Sequence, residues 1–178
     1  MSTNDRIFYA CQGVALTNHG DTSVVAGDMV RGLQSVGMTT NFNLEQAFEL
    51  GQIEIYENIE GTPDVEVTME KVLDGHPLIY HMASSGVAGT SASGLVGRSK
   101  ARADMRLGIF SDANNSLKGA TDNSGKAEVE VYCSGMYISS ISYTIPTDGS
   151  ATESVTLVGN NKQWLTGSDV KILDAAVD

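Results

Sequence analysis

Alternating apolar and polar residues run along much of this chain, and a period of two predicts β-strands. The longest such stretch extends from Ala127 to Ile145. Its apolar positions share one parity (Val129, Val131, Cys133, Tyr137, Ile141, Tyr143 and Ile145), and its polar positions share the other (Glu128, Glu130, Ser134, Ser140, Ser142 and Thr144). Gly135 interrupts the pattern and predicts a β-bulge at which the strand bends.

Shorter stretches repeat this alternation elsewhere in the chain. From Asp64 to Leu73, the residues Val65, Val67 and Met69 are predicted to face inward, and Glu66, Thr68 and Glu70 outward. Further strands are predicted at Arg6–Leu16, Gln52–Tyr56, Arg106–Phe110, Glu153–Val158 and Val170–Leu173. Turn residues such as Gly61-Thr62-Pro63-Asp64 separate them. Many short strands between turns are typical of an antiparallel β-sandwich or barrel.

A short helix is predicted between the first strands. Asn43 can cap a helix that begins at Leu44, with Gln46 three residues after the cap as a capping box requires. Gly51 can end this helix in the left-handed conformation. The predicted helix has about two turns, with Phe42, Ala47 and Leu50 facing the core.

The segment from Ala83 to about Ala103 has a different composition. Between Ala83 and Lys100, 12 of 18 residues are Gly, Ser or Ala, which is too little apolar surface to order a segment by itself. A linker between two domains is one interpretation. A long excursion from one domain is favoured, because neither flank is a complete domain and strands resume at once. The prediction is therefore one mainly β domain over residues 1–178, with one or two short flanking helices and this long Gly/Ser-rich loop.

Charge and composition restrict the function further. The chain has 22 acidic and 11 basic residues and a formal net charge of −11, which argues against a protein that grips nucleic-acid phosphates. The charge suits a surface that nucleic acid passes without sticking, and equally suits plain solubility. The sequence has no run of about 18 apolar residues, so it predicts no membrane-spanning helix. The N-terminus lacks a signal-peptide pattern. Synthesis in the cytoplasm, with Cys11 and Cys133 reduced, is expected.

Candidate chemistry is sparse. His76 and His81 are five residues apart, a spacing that chelates one ion on neither a strand nor a helix. The run Asp112-x-Asn114-x-Ser116 begins like a calcium loop, but it continues with Leu117 where that loop needs glycine. No phosphate-binding loop or nucleophile elbow is present. We therefore expect no catalytic residue, no metal, no cofactor and no enzyme activity.

Two local patterns carry a resemblance to a known family. The first is Phe42-x-Leu-x-x-x-Phe-x-Leu-Gly-Gln, which continues into Ile53–Tyr56 and then Pro63–Gly75. The second is Thr147-Asp148-Gly149 followed by Glu153–Trp164. From about Val36 to Leu165 the chain resembles the major tail tube proteins of tailed bacteriophages.

This resemblance implies a structural subunit. Six copies would form a ring whose sheets join into one inner barrel, and stacked rings would form a hollow tube that carries DNA without binding it specifically. Self-association, a place in the virion tail and contacts with sheath, baseplate hub and tail terminator proteins follow as expectations. The alternatives are a capsid decoration protein or other β-sandwich binding module, and the inner tube of a contractile injection system.

Two residue sets are candidates for surfaces of such a tube. Carboxylates at polar positions of three strands would line the lumen: Glu54, Glu66, Glu70, Glu128 and Glu130. The alternative is that this face lies on the outside, where the carboxylates only add solubility. Basic residues of the Gly/Ser-rich segment would contact the acidic subunits of the next ring: Arg98, Lys100 and Arg102. The segment itself is expected to order on assembly.

Overall fold

The computed structural model describes residues 12–48, 50, 55–85, 100–110 and 126–172. In this part of the chain the strands are β1 (Gln12–Asn18), β2 (Leu33–Asn41), β3 (Leu44–Phe48), β4 (Ile55–Glu60), β5 (Asp64–Val72), β6 (Ala103–Ile109), β7 (Val129–Thr144), β8 (Thr152–Gly159) and β9 (Asn161–Thr166). One α-helix, α1 (Ile79–Ser85), lies between β5 and β6. Short 3-10 turns cover Ala26–Asp28 and Gly167–Asp169. Among the described residues, no helix combines the length and apolarity that a membrane crossing needs.

Two antiparallel sheets form the body, and β7 belongs to both of them. Sheet A has the order β1-β6-β7-β9 and uses the first half of β7. Sheet B has the order β2-β5-β8-β7 and uses the second half of β7. Strands β3 and β4 pair only with each other, as a separate hairpin. The mainly antiparallel β fold with one short helix agrees with the fold class predicted from the sequence.

Bulges in β7 bend this strand from sheet A into sheet B. The first lies at Gly135, whose φ is +64°, and the register shows it as an extra β7 residue between Cys133 and Met136. A second irregularity falls between Ile138 and Ser140. Each bulge changes which parity faces inward, so Cys133 and Met136 are both buried. The predicted bulge at Gly135 is confirmed.

The main core lies between the sheets. Sheet B contributes Val65, Val67 and Met69 of β5, which confirms the inward positions predicted for that strand. Sheet A contributes residues such as Leu16 and Met105, and α1 adds Ile79, Met82 and Ala83. A second cluster is made of Ala15, Val24, Met29, Phe110, Ala127, Val170 and Ile172. Alternation therefore served as a reliable guide where one strand face is buried.

Helix α1 is held by a carboxylate from a distant strand. Glu153 of β8 accepts hydrogen bonds from the backbone N–H groups of Ile79 (2.8 Å) and Tyr80 (3.2 Å) at the start of the helix. These N–H groups have no partner within a helix, so a fully buried carboxylate can satisfy them. The helix is thereby fixed to sheet B at its first turn.

The predicted helix from Leu44 is wrong, because Leu44–Phe48 forms strand β3 and pairs with β4. Asn43 has a φ of +46°, and its side-chain amide donates to the Thr62 carbonyl and the Asp64 carboxylate. The residue therefore binds across the base of the hairpin instead of capping a helix. Apolar spacing in so short a segment did not distinguish a helix from a strand.

Other predicted boundaries shift. The strand predicted at Val170–Leu173 is not formed over Val170–Ile172, where Val170 and Ile172 pack into the second cluster. Strands β2 and β9 were not predicted. Residues Arg6–Cys11 of the first predicted strand lie outside the described residues. So does most of the predicted excursion, residues 86–99, whereas Ala83 belongs to α1 and Ala103 to β6. A single domain over residues 1–178 stays a prediction.

Candidate assembly interface

Sheet B has two outer edges without a strand partner among the described residues. One is the free side of β2, and the other is the free side of the second half of β7. The four strands β2, β5, β8 and β7 alternate in direction, because every pair in the sheet is antiparallel. Unpaired backbone N–H and C=O groups at such edges are ready to pair with another chain.

Apolar side chains at both edges are only half-buried. They pack against the main core from Leu33, Val36 and Met38 on β2, and from Ile138 and Ile141 on β7. The corresponding residues of the central strands, such as Met69 and Val155, are fully buried. The core is therefore open at the two edges where another strand would cover it.

The outward face of sheet B is almost uncharged. Cross-strand pairing places on this face Ser35, Gly37, Thr39 and Asn41 of β2, Asp64, Glu66, Thr68 and Glu70 of β5, Thr152, Ser154, Thr156 and Val158 of β8, and Tyr137, Ser140, Ser142 and Thr144 of β7. The charged residues in this set are Asp64, Glu66 and Glu70, all on β5. Most of the other side chains are small and polar, and the exceptions include Val72, Tyr137 and Val158. The face therefore combines mainly Ser and Thr side chains with one acidic stripe along β5.

The predicted lumen carboxylates do not all lie on this face. Glu66 and Glu70 are exposed on it, as predicted for β5. Glu128 is exposed, but it stands beside sheet A, where its N–H donates to the Ile109 carbonyl. Glu54 lies outside the described residues. Among the described residues, the predicted lumen carboxylates on this face are therefore Glu66 and Glu70 of β5, because Glu128 lies beside sheet A and Glu130 is buried.

Glu130 was assigned wrongly to an exposed polar face. It is fully buried, and its carboxylate pairs with the Arg106 guanidinium. It also accepts hydrogen bonds from the N–H groups of Lys171 (2.8 Å) and Ile172 (2.9 Å). The segment after β9 therefore covers the outer face of sheet A at this point. A buried carboxylate with these partners fixes that segment and cannot face a channel.

A second buried carboxylate organises the bend in β7. Asp104 accepts hydrogen bonds from the Gly135 N–H (2.7 Å), His19 Nδ1 (2.8 Å), the Tyr132 hydroxyl (2.8 Å) and the Gly20 N–H (3.1 Å). Burial raises the pKa of Asp104, but these hydrogen bonds outweigh it and hold the pKa below its ordinary value. The site ties the Gly135 bulge to the loop after β1.

The predicted inter-ring residues are only partly described. Lys100 and Arg102 are exposed just before β6, and Arg98 lies outside the described residues. The Arg102 carbonyl accepts a hydrogen bond from the His19 N–H, so the backbone at this point is attached to the body. A contact with another ring stays a prediction.

The β3–β4 hairpin carries apolar side chains that nothing in the described structure covers. Phe42, Leu44 and Ile59 are each at least 50% exposed, next to Glu45 and Glu60. Sequence reasoning missed this surface because it assigned Phe42 to the core face of a helix. The signal that could have found it is Gly51 between two short apolar runs, which is a hairpin pattern. Such exposure is typical of a contact surface.

A groove of about 560 Å³ opens between the two sheets at the β2 edge. Its apolar lining includes Val14, Leu33, Val36 and Leu107, and Arg31 is one of its polar lining residues. Sequence patterning could not reveal this groove, because it depends on how the edges of two sheets are placed.

The described part of the chain brings His19, Asp104 and Tyr132 together, and the Asp104 carboxylate of this group holds the Gly135 bulge. No three His, Cys, Asp or Glu side chains there are grouped so that they could hold a metal ion. Burial raises the pKa of the Cys133 thiol to about 11, which keeps this cysteine protonated and unreactive at neutral pH. The surfaces that stand out are the two free edges of sheet B, its outward face and the β3–β4 hairpin.

No protein-family model and no curated protein sequence matches the chain. Solved structures match over nearly its whole length. The sheath/tube terminator of an extracellular contractile injection system (PVC) has a TM-score of 0.60 at 10% identity, covering 93% of this chain and 100% of its own. The SPP1 tail tube has a TM-score of 0.58 at 10% identity, covering 91% and 80%. The six-fold symmetrised baseplate of the anti-feeding prophage gives 0.53 at 10% identity, covering 93% and 98%.

Likeness at this low identity shows the fold. The chain has the fold of tail tube and tube terminator proteins of phage tails and contractile injection systems. The resemblance inferred from the sequence patterns is confirmed at this level.

Proposed function

We propose that this protein is a structural, non-enzymatic subunit of a tail tube, in which copies join through the free edges of sheet B. The observation that carries the proposal is the pair of open edges, each with half-buried core residues such as Val36 and Ile141. Joining the β2 edge of one copy to the β7 edge of the next continues the sheet and completes its core. The interface is heterologous, so it generates a closed ring when the rotation between copies closes.

Strand directions support this joint. Sheet B has four alternating strands, so β2 and β7 run in opposite directions. A β7 edge placed beside the β2 edge of an equally oriented copy gives an antiparallel pair. Every pair in the closed sheet is then antiparallel.

Six copies are proposed from the tail-tube resemblance and from the six-fold baseplate among the structures of similar fold.

The outward face of sheet B would form the lumen wall. Its Ser and Thr side chains offer no charge for phosphates, and Glu66 and Glu70 would repeat around the channel as an acidic ring. DNA would be repelled from such a wall and would slide through it. Rings stack into a tube within a virion tail made in the bacterial cytoplasm, with sheath, baseplate hub and terminator proteins as partners.

The second candidate is the inner tube of a contractile injection system. The likeness to the contractile-system terminator, at a TM-score of 0.60, favours it as strongly as the likeness to the SPP1 tail tube, at 0.58, favours a phage tail. Both functions use the same rings, so the proposed interface applies to each. A capsid decoration protein of similar form would instead stay a monomer or small closed oligomer.

Electron microscopy of the purified protein over a concentration series tests the proposal. Rings with six-fold end views, or tubes built from them, are expected, with light scattering that rises with concentration. A protein that remains monomeric at the highest concentration contradicts the tube assignment. A fixed trimer favours the decoration alternative.

A further inference from the structure

We propose that the groove at the β2 edge is a socket that receives Tyr143 and Ile145 of the next copy in the ring. The inference rests on the proposed function, because it requires the β7 edge of one copy to lie beside the β2 edge of another. It goes further by assigning the residues that determine this contact. The occupant is therefore a second copy of this chain.

The socket exists because the inner face of β2 lacks a neighbour on one side. Leu33 and Val36 line the groove from β2, and Val14 and Leu107 line it from sheet A. Both β2 residues are half-buried, whereas Met69, the cross-strand partner of Val36, is fully buried. Apolar lining of this kind stays partly hydrated until another apolar group fills it.

The opposite edge carries side chains of matching character. Tyr143 is 47% exposed and Ile145 is 77% exposed, although both are large and apolar in most of their surface. Tyr143 faces the inner side of sheet B, because it is paired with the fully buried Glu153 and its hydroxyl donates to that carboxylate. Ile145 follows two residues later, just beyond the end of β7.

The strand register places the groove residue Leu33 and the edge residue Tyr143 in the same cross-strand row of sheet B. Leu33 is the cross-strand partner of Lys71, Lys71 is the partner of Glu153, and Glu153 is the partner of Tyr143. A single row therefore crosses all four strands from the socket to Tyr143. When copies join edge to edge, Tyr143 of one copy continues this row beside Leu33 of the next. A small stagger between copies shifts the contact along the groove without removing it.

Tyr143 is also held in a fixed position before assembly. Its hydrogen bond to Glu153 Oε1 is 3.1 Å long, and Glu153 in turn is bound to the start of α1. An aromatic side chain that is immobilised in advance loses little conformational entropy on binding. An aromatic and an aliphatic anchor in an apolar pocket are typical of the residues that dominate binding energy.

Replacing Ile145 tests the contact. Ile145→Asp places a charge in the socket, and we expect assembly to require about tenfold or more higher concentration. Thr144→Asp is the matched control, because Thr144 is the preceding residue and lies on the outward polar face. The control is expected to assemble within about twofold of the wild-type concentration. Urea unfolding of both variants should match the wild type, since both positions are exposed.

A covalent test does not depend on that substitution. In a Cys11→Ser background, Leu33→Cys combined with Tyr143→Cys should give disulfide-linked ladders when assembled protein is oxidised, because the row places Tyr143 beside Leu33 of the next copy. Neither single variant should do so. Ladders together with the Ile145→Asp defect support the inference. If wild-type rings form, but Ile145→Asp assembles normally or the double-cysteine rings give no ladder, the socket assignment is overturned and the tube function stands. Wild-type protein that forms no rings overturns both.

Discussion

Lys71 and Glu153 are cross-strand neighbours in sheet B, and both are fully buried, yet each side chain binds a different part of the chain. Lys71 donates to Asp74 and to the Val72 carbonyl, whereas Glu153 accepts from Ile79, Tyr80 and Tyr143. The two charges therefore anchor the turn after β5 and the helix that follows it. Both anchors lie in the row that crosses sheet B from Leu33 to Tyr143.

Removing the Glu153 carboxylate should destabilise the protein. Glu153→Ala leaves two backbone N–H groups at the start of α1 and the Tyr143 hydroxyl without their acceptor, and we expect a loss of about 2–4 kcal/mol in the free energy of unfolding. Urea unfolding followed by circular dichroism measures it. Glu70→Ala, on the exposed face of β5, is the control and should change stability by less than about 0.5 kcal/mol. Equal losses in both variants would contradict the anchoring role.

Asp104 should make stability depend on acid pH. Its pKa in the folded protein lies below the ordinary value of 3.8, because the hydrogen bonds outweigh the effect of burial. Its contribution is therefore complete above about pH 4 and is lost as the pH falls through the folded-state pKa. Asp104→Asn should lower stability at pH 7 by about 1–3 kcal/mol and flatten the decline below pH 4. Unfolding curves measured from pH 3 to 7 check this; parallel pH profiles would refute it.

Glycine should be required at the Gly135 bulge because of its backbone conformation and not because of steric crowding. A Cβ at Gly135 would meet only His19 atoms at 3.6 and 3.9 Å, so there is space, but φ is +64°. Gly135→Ala should therefore cost about 1–2 kcal/mol. Gly37→Ala on β2 is the control, because its Cβ meets nothing within 4 Å and its φ is not positive, and it should be neutral or slightly stabilising. Thermal unfolding of the two variants gives the comparison.

Reversing charge on β5 should affect the passage of DNA and leave the assembly of rings intact. Glu66→Lys with Glu70→Lys would turn the proposed acidic ring into a basic one that holds phosphates. We expect tubes that assemble but retain DNA at low salt, with release on adding salt. Glu128→Lys is the matched control, since Glu128 is exposed but lies beside sheet A. Tubes carrying the β5 reversal that release DNA as the wild type does would exclude the lumen assignment.

Reversing charge at Lys100 and Arg102 should weaken stacking more than ring formation. Both residues are exposed before β6 and would meet acidic surfaces of the adjacent ring. Lys100→Glu with Arg102→Glu should give separate rings where the wild type gives tubes, most clearly at low salt. Lys162→Glu on β9 serves as the control. Microscopy that finds tubes of normal length in the double variant would remove these residues from the contact.

The sequence was most informative where one face of a strand is buried. For β5, the alternation of Val65, Val67 and Met69 with polar residues identified both the strand and its inward face, because burial on one side imposes a period of two. It was least informative for β3, where Leu44 and its neighbours are exposed and no core imposes a period. Asn43 is a residue type that often caps helices, but here its side chain forms a hydrogen bond across the base of a hairpin.

For the candidate surfaces too, local sequence pattern identified some residues and missed others. Glu66 and Glu70 could be placed on the polar face of their strand from local pattern alone. Glu130 could not, because its burial depends on Arg106, 24 residues earlier, and on Lys171, 41 residues later. The socket around Leu33 and Val36 depends on the spacing of two sheet edges, which no local pattern encodes.

The strand count of sheet B limits how such a protein can change during evolution. With four alternating strands, a copy presents edges of opposite direction. Insertion or loss of a single strand would make the two edges run the same way. In the proposed ring, every joint would then become a parallel pair with a different hydrogen-bond spacing. If copies join as proposed, variants of this sheet that keep an antiparallel joint would gain or lose strands in pairs.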